Sequence, residues 1–250
     1  MMQFAGDSSP DRCFLSIIIP ALDEAEALPL LLDSLDRQGD FPRFEVVLVD
    51  GGSRDGTVEI FRARAREWAG RGRPATVLLT DRAGRAYQMN AGARASTGAA
   101  LLFLHADTLL RTGAVRSIAR ALDDPRLVGG GFRHHYRDPN RLLRVISFYA
   151  TARSLLLGVH YGDQGLFMRR SAFDAVGGFP DRPLFEDLAM SRAMRRRGRV
   201  TTLPMPVDTS ARRLIRGGVA RTALQFCWMK IRHARGIDPA DLKRRYPDVR

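Results

Sequence analysis

Ala99-Ala100-Leu101-Leu102-Phe103-Leu104-His105-Ala106-Asp107-Thr108 is the stretch that decides how this chain is read. Six apolar residues in a row, Ala99 to Leu104, predict a short strand buried on both faces, as in the middle of a parallel sheet. Polar side chains enter only at its exit, as His105 and Asp107. Side chains alternate along an extended chain, so these two can face the same way. The carboxyl ends of strands are where ligands bind in open α/β sheets. A histidine and a carboxylate at that point can hold a hard metal or handle phosphate. Equally, Asp107 can cap a helix that begins near Thr112.

Working outward, strand and helix patterns alternate. Residues 14–19 read as a β-branched strand ended by Pro20, followed by a helix over 23–37 whose first turn carries Asp23, Glu24 and Glu26. A strand over 44–49 runs into Asp50-Gly51-Gly52-Ser53-Arg54-Asp55-Gly56-Thr57, and a helix covers 58–69. A strand over 76–79, a helical stretch over 84–96, the quoted strand and a helix over 112–122 complete the series. Short connections between alternating elements predict a Rossmann-like, doubly wound, mostly parallel α/β sheet flanked by helices. Beyond 124 the pattern changes to strands over 128–136, 166–169 and 200–203 and helices over 141–157 and 184–197. The expected organisation is an N-terminal arm (1–13), one domain (14–210) with a nucleotide half (14–124) and an acceptor half (125–210), and a basic amphipathic helical tail (211–250).

The 250 residues carry a net charge of +13, nearly all of it arginine, since Lys230 and Lys243 are the only lysines. A basic surface favours anionic partners. Cys13 and Cys227 are far apart and outside any metal-type spacing, which suits a reducing compartment without a disulfide. Met1 to Arg12 has no hydrophobic leader pattern. No apolar run reaches the roughly 18–20 residues of a membrane span, and Arg153 interrupts the longest candidate, Val145 to Val159. The expected location is cytoplasmic, at most peripheral at the inner face of the cell membrane. The tail, with eleven Arg or Lys against three Asp from Arg212 onward, is the segment that could lie in an interface or pack on its own domain.

Several constellations can carry chemistry. Asp50 ends a strand, and the following glycines allow close backbone approach to a ligand, although a tight turn with Ser53 or Asp55 capping a helix explains the same residues. Arg85, at a helix start, can clamp a phosphate, and Asn90 lies a turn further on. Asp163-Gln164-Gly165 precedes a strand. Glu186 and Asp187 open a helix, where one can serve as general base or both can simply stabilise the helix end. His134 and His135 are adjacent in a strand, face opposite sides, and are read as structural.

The order of these pieces is more specific than any one of them. Ile19-Pro20-Ala21-Leu22-Asp23-Glu24, then Val49 to Thr57, then Gly84-Arg85-Ala86 with Asn90, then Leu104-His105-Ala106-Asp107, then Glu186-Asp187, closely resembles the family 2 glycosyltransferases of the GT-A fold over roughly residues 14 to 205. His105-Ala106-Asp107-Thr108 and Thr209-Ser210-Ala211-Arg212-Arg213 resemble the radical-SAM/selenodomain-associated transferase subgroup. The resemblance implies an inverting, metal-assisted transfer from a nucleotide-diphosphate sugar to an acceptor hydroxyl. It places Pro20, Ala21, Glu24, Asp50, Gly51 and Ser53 with Arg85, Asn90 and Ala106 around the nucleotide sugar, and Arg212 and Arg213 over the diphosphate. Gln164 and Gly165 fall on the acceptor side. Asp107 would hold Mg2+ or Mn2+, and Asp187, with Glu186 beside it, would be the base. The family's usual Asp-x-Asp has His105 in place of its first acid, so His105 becomes a ligand or a supporting group. A lipid-linked acceptor is suggested only by the tail, and no nucleic acid is expected.

Two rivals remain. A nucleotidyltransferase would carry a Gly-rich, lysine-containing loop after the first strand, and Pro20 to Glu26 has neither residue. A non-catalytic basic module binding anionic membrane or nucleic acid would explain the charge. It would not explain acids at the ends of three separate elements, Asp50, Asp107 and Asp187, which repel phosphate unless a cation intervenes.

Overall fold

A computed structural model describes residues 14–39 and 43–245. The expected N-terminal arm and Cys13 lie outside these residues. The elements in order are β1 (Leu15–Ala21), α1 (Leu28–Asp36), β2 (Phe44–Asp50), α2 (Thr57–Ala69), β3 (Ala75–Leu79), α3 (Arg85–Ala95), β4 (Ala100–Phe103), β5 (Thr108–Leu109) and α4 (Ala114–Ala121). They continue as β6 (Leu127–Tyr136), α5 (Arg141–Leu157), β7 (Leu166–Arg169), α6 (Arg170–Val176), α7 (Glu186–Arg197), β8 (Arg199–Thr209), α8 (Arg212–Arg216), α9 (Val219–Ala234) and α10 (Pro239–Arg245). One sheet runs β3-β2-β1-β4-β7-β6-β8-β5.

The first four strands pair in parallel. Their sequences lack polar alternation because both faces are covered. Leu15, Ile17 and Ile19 of β1, with Leu102 of β4, join a core that includes Leu31 and Leu35 of α1 and Phe61 of α2. The intervening Ile18, Leu101 and Phe103 face Met89 of α3, Phe173 of α6 and Met190 of α7. Burying each large side chain contributes about 1.5–3 kcal/mol. Gly92 lets α3 lie close on the sheet, since a Cβ there would come within 2.5 Å of Ile18 Cγ2 and 2.8 Å of Val49 Cγ2.

The second half departs from a parallel sheet. β7 runs antiparallel between β4 and β6, and β5 antiparallel to β8, while β6 and β8 are parallel. β8 extends to Thr209, beyond the expected 200–203, because it continues along β6 to Tyr136. Pro20 does not end β1: it is paired with Val49 but lies past Ile18, the last β1 residue paired with β4, so its missing N–H leaves no gap there. Nor does the first helix start at Asp23. It starts at Leu28, and Asp23 (φ 54°), Glu24 and Glu26 belong to the loop before it.

Candidate active site

The loop after β1 is held open by the loop after β2. Backbone N–H groups of Asp23, Glu24 and Ala25 donate to Ser53 Oγ, Thr57 Oγ1 and Asp55 Oδ2, each at 2.9 Å. Asp23 Oδ1 accepts from Arg54 N at 2.8 Å. These contacts, with the left-handed turn at Asp23, hold residues 23–25 in a loop, so the acids stay at the strand ends. Asp50 is buried and folded onto its own turn, accepting from Gly52 N (2.9 Å), Ser53 N (3.0 Å) and Ser53 Oγ (2.5 Å). Gly51 packs against Ala83 and Gln88 where a Cβ would meet Gln88 Nε2 at 3.1 Å.

At the exit of β4 the chain places Asp107 beside the β1 loop. Burial, followed by repulsion from Asp107, raises the Glu24 carboxyl above its usual range, and Arg212 and Arg213 oppose that rise. Arg212 donates to Glu26 Oε2 at 2.9 Å and to Glu24 Oε2 at 3.3 Å, which brings the arginine pair of α8 over the same strand ends. Among the described residues the Asp107 carboxylate receives one long contact, from Thr108 Oγ1 at 3.4 Å. Among the described residues no three His, Cys, Asp or Glu side chains form a ready-made metal cage. The lightly engaged Asp107 carboxylate, with Glu24 near it, could hold an oxygen-loving cation that takes its other ligands from phosphate and water.

His105 turns toward the second half of the chain. A Cβ on Gly162 would lie 2.5 Å from His105 Nε2 and 3.6 Å from Asp187 Oδ2, so this glycine separates the two side chains. Burial, then Arg85, lowers the His105 pKa, while Asp107, Asp163 and Asp187 pull the other way. Asp187 Oδ2 accepts from Gly162 N at 2.8 Å and its Oδ1 from Leu188 N at 2.7 Å. Phe185, just before α7, is left-handed (φ 61°), a conformation that is costly for a residue with a β-carbon and that sets the helix start. Its ring stacks on His233 of α9, with centroids 4.6 Å apart.

Glu186 and Asp187 therefore differ. Glu186 is 1% exposed, and its Oε1 lies 2.9 Å from Arg85 Nε. Its Oε2 has no hydrogen-bond partner, and burial raises its pKa despite Arg85. Asp187 is half-buried.

Other expected site residues have different surroundings. Asn90 directs both polar ends at the Phe179 backbone, donating to its carbonyl and accepting from its N–H at 2.8 Å each. Gln164 is fully buried, donating to Phe132 O at 3.0 Å and accepting from Arg153 at 2.6 Å, and Gly165 (φ 61°) closes the turn beneath it. Pro20, Ala21 and Ala106 bury their side chains, leaving only backbone to offer.

Sequence reasoning missed Gln88, whose Nε2 ties Ala21 O and Val49 O at 2.8 and 2.7 Å. It also gave no role to Asp163, whose Oδ1 is buried without a partner and whose Oδ2 lies 3.5 Å from His134 Nε2. The lone signal for Asp163 was its place beside Gln164 and Gly165. His134 is buried and His135 exposed, as alternation required.

A model of glycosyl transferase family 2 matches residues 16–177. A PGL/p-HBAD biosynthesis glycosyltransferase of Mycobacterium bovis is 45% identical over 98 residues, 38% of this chain and 36% of that one. Glycosyltransferase AglE of Haloferax volcanii is 37% identical over 179 residues, 67% of this chain and 56% of that one. An undecaprenyl-phosphate 4-deoxy-4-formamido-L-arabinose transferase of Yersinia enterocolitica is 26% identical over 163 residues, 62% and 47% of the two chains. The matches thus span between 36% and 56% of these relatives. Staphylococcus aureus TarS aligns over 78% of this chain and 36% of its own, with a TM-score of 0.63 at 19% identity. The mannosyltransferase PcManGT from Pyrobaculum calidifontis, in complex with GDP-Man and Mn2+, aligns over 79% and 56%, with a TM-score of 0.58 at 24% identity. The fold is that of the GT-A glycosyltransferases.

Proposed function

The chain belongs to glycosyl transferase family 2, and from that premise we propose that it transfers a sugar, with inversion, from a nucleoside-diphosphate donor to an acceptor hydroxyl. The observation that carries this reading is geometric: Asp187 of α7, held by the Gly162 N–H at 2.8 Å, lies across that glycine from His105, two residues before Asp107 at the exit of β4. Asp187 takes the acceptor proton as the acceptor oxygen attacks the anomeric carbon from the face opposite the diphosphate. The new glycosidic C–O bond forms, and the bond to the diphosphate breaks with its electron pair on the departing oxygen. The N–H groups of Gly162 and Leu188 hold both Asp187 oxygens in place. A positioned base of this kind contributes about 10²–10⁴ in rate.

Pro20, Ala21, Glu24 and Asp50, with Gly51 and Ser53, take the base and ribose at the ends of β1 and β2, largely through backbone. Arg212 and Arg213 answer the diphosphate charge. Asp107 holds a divalent cation, Mg2+ or Mn2+, which when bound supplies Lewis-acid neutralisation of the leaving group. The Mn2+ in the Pyrobaculum complex supports that choice. The Yersinia relative, an undecaprenyl-phosphate 4-deoxy-4-formamido-L-arabinose transferase, supports a lipid-linked acceptor.

The test is thermal stabilisation by UDP, GDP, dTDP, CDP and ADP, each with and without Mn2+, on wild type and Asp107→Ala. Metal-dependent stabilisation by one nucleotide, lost in the variant, is expected. No stabilisation by any of them would overturn the donor assignment.

A further inference from the structure

Among the described residues, eleven of the thirteen large apolar side chains left exposed fall on α5, α8 and α9. On α5 they include Val145 (61% exposed), Phe148 (75%) and Leu156 (83%), and on α9 Leu224 (71%) and Ile231 (51%). The inward stripe of α5, Leu143, Ser147, Ala150 and Ser154, packs on the domain, so the outward residues are not needed for its core. On α9, Leu224, Trp228 and Ile231 recur at helical spacing, one exposed face of a helix that contacts α5. Contiguous apolar surface of this kind marks an interaction site.

Charge selects the occupant. Residues 141–157 and 212–234 contain nine Arg or Lys and no Asp or Glu, and of these Arg141, Arg144, Arg216 and Arg221 are exposed and lie outside the candidate donor site. A second copy would set one all-cationic surface against another. Nucleic acid would match the charge but leave the aliphatic ridge in water. A bilayer with anionic headgroups answers both features, taking the apolar residues into its interface and the arginines at its surface.

We propose that α5 and α9 together form a docking face for an anionic membrane surface, with α5 as the principal insert. This face adjoins the candidate active site. Arg153 of α5 and Lys230 of α9 both lie over the Tyr161 ring, at 3.6 and 4.7 Å, and the next residue, Gly162, holds Asp187. Resting on the transferase reading above, this placement assigns the acceptor to a class presented at a membrane surface.

The test is co-sedimentation of the full chain with vesicles of equimolar phosphatidylglycerol and phosphatidylcholine, or of phosphatidylcholine alone. Binding to the anionic vesicles, weakened by roughly 0.5 M salt, is expected. Phe148→Ser with Leu156→Ser should lower it about tenfold or more, and Arg144→Glu with Arg221→Glu should abolish it at low salt. Circular dichroism and nucleotide stabilisation should be unchanged in both variants. Failure to bind anionic vesicles overturns the proposal, as does equal binding by the Phe148/Leu156 variant. A stable dimer that the same variant dissociates also overturns it, in favour of a second copy. Vesicle binding without any nucleotide stabilisation would instead sink the transferase reading and leave the docking face standing.

Discussion

Arg85 of α3 and Glu186 of α7, 101 residues apart in sequence, meet with Nε 2.9 Å from Oε1, and the Glu186 side chain is 2% exposed. The pair fixes the start of α7, and with it the position of Asp187, against the nucleotide half of the chain. It also separates two adjacent acids: Glu186 is a buried anchor, and Asp187 is half-buried and held by two backbone N–H groups.

Removing the guanidinium leaves Glu186 buried without its counter-charge. Arg85→Ala should destabilise the protein by about 1–3 kcal/mol. The Glu186 pKa is already raised from 4.5 by burial, so the folded state binds the extra proton and stability falls as pH rises through that window. In Arg85→Ala this fall should steepen, and Glu186→Gln in the same background should remove the added slope. Denaturant unfolding across pH 4–8 reads both, and an unchanged slope in Arg85→Ala would reject the anchor role.

Asp187→Asn preserves an oxygen to accept from Gly162 N–H but removes the base. Its NH2 then faces the Leu188 N–H, which lowers the melting temperature, while turnover should fall about 10²–10⁴-fold with little change in donor KM. A variant with near wild-type kcat would assign the proton to another group.

Asp107 makes so little contact within the fold that Asp107→Ala should leave unfolding free energy within about 0.5 kcal/mol of wild type. Chelation with EDTA should mimic the variant in nucleotide-binding assays, and chelation should add nothing to the variant itself.

Asn90 brackets the Phe179 backbone, so Asn90→Ala should cost about 1–3 kcal/mol of stability. Donor affinity, measured by calorimetry below the new melting range, should be unaffected. A selective loss of donor affinity would restore it to the binding site.

His160 is buried, bonds Thr202 Oγ1 at 2.9 Å, and has its pKa pushed down from 6.5 to about 4 by burial and then Arg153. The unfolded chain binds this proton first, so its contribution to stability is present above about 6.5 and is lost as pH falls toward 4. His160→Gln should flatten the acid limb of the stability curve between those values.

Much of the architecture could be read along the chain. The strands of the first half are continuous apolar runs because two helical layers cover them, and a buried strand needs no partner in sequence to be recognised. Asp50 and its turn were equally readable, since every bond its carboxylate makes is to residues two or three positions away. Helix α5 was placed to the residue for the same reason, with Asn140 capping Leu142 N locally. The helix after β1 was misplaced because the side chains that capture residues 23–25 lie some thirty positions later.

The sequence by itself determined the sheet's first half, the order of acids at its strand ends and the family they resemble, all of which rest on local pattern. Only the tertiary structure decided which polar groups were consumed by the fold and which were left to act. Asn90 and Glu186 found partners 89 and 101 residues away, Asp107 kept a nearly free carboxylate, and Asp163 emerged with a buried oxygen unpaired. A polar side chain's role depends on whether folding brings a donor or a counter-charge within about 3 Å of it, and that is a property of contacts distant in sequence.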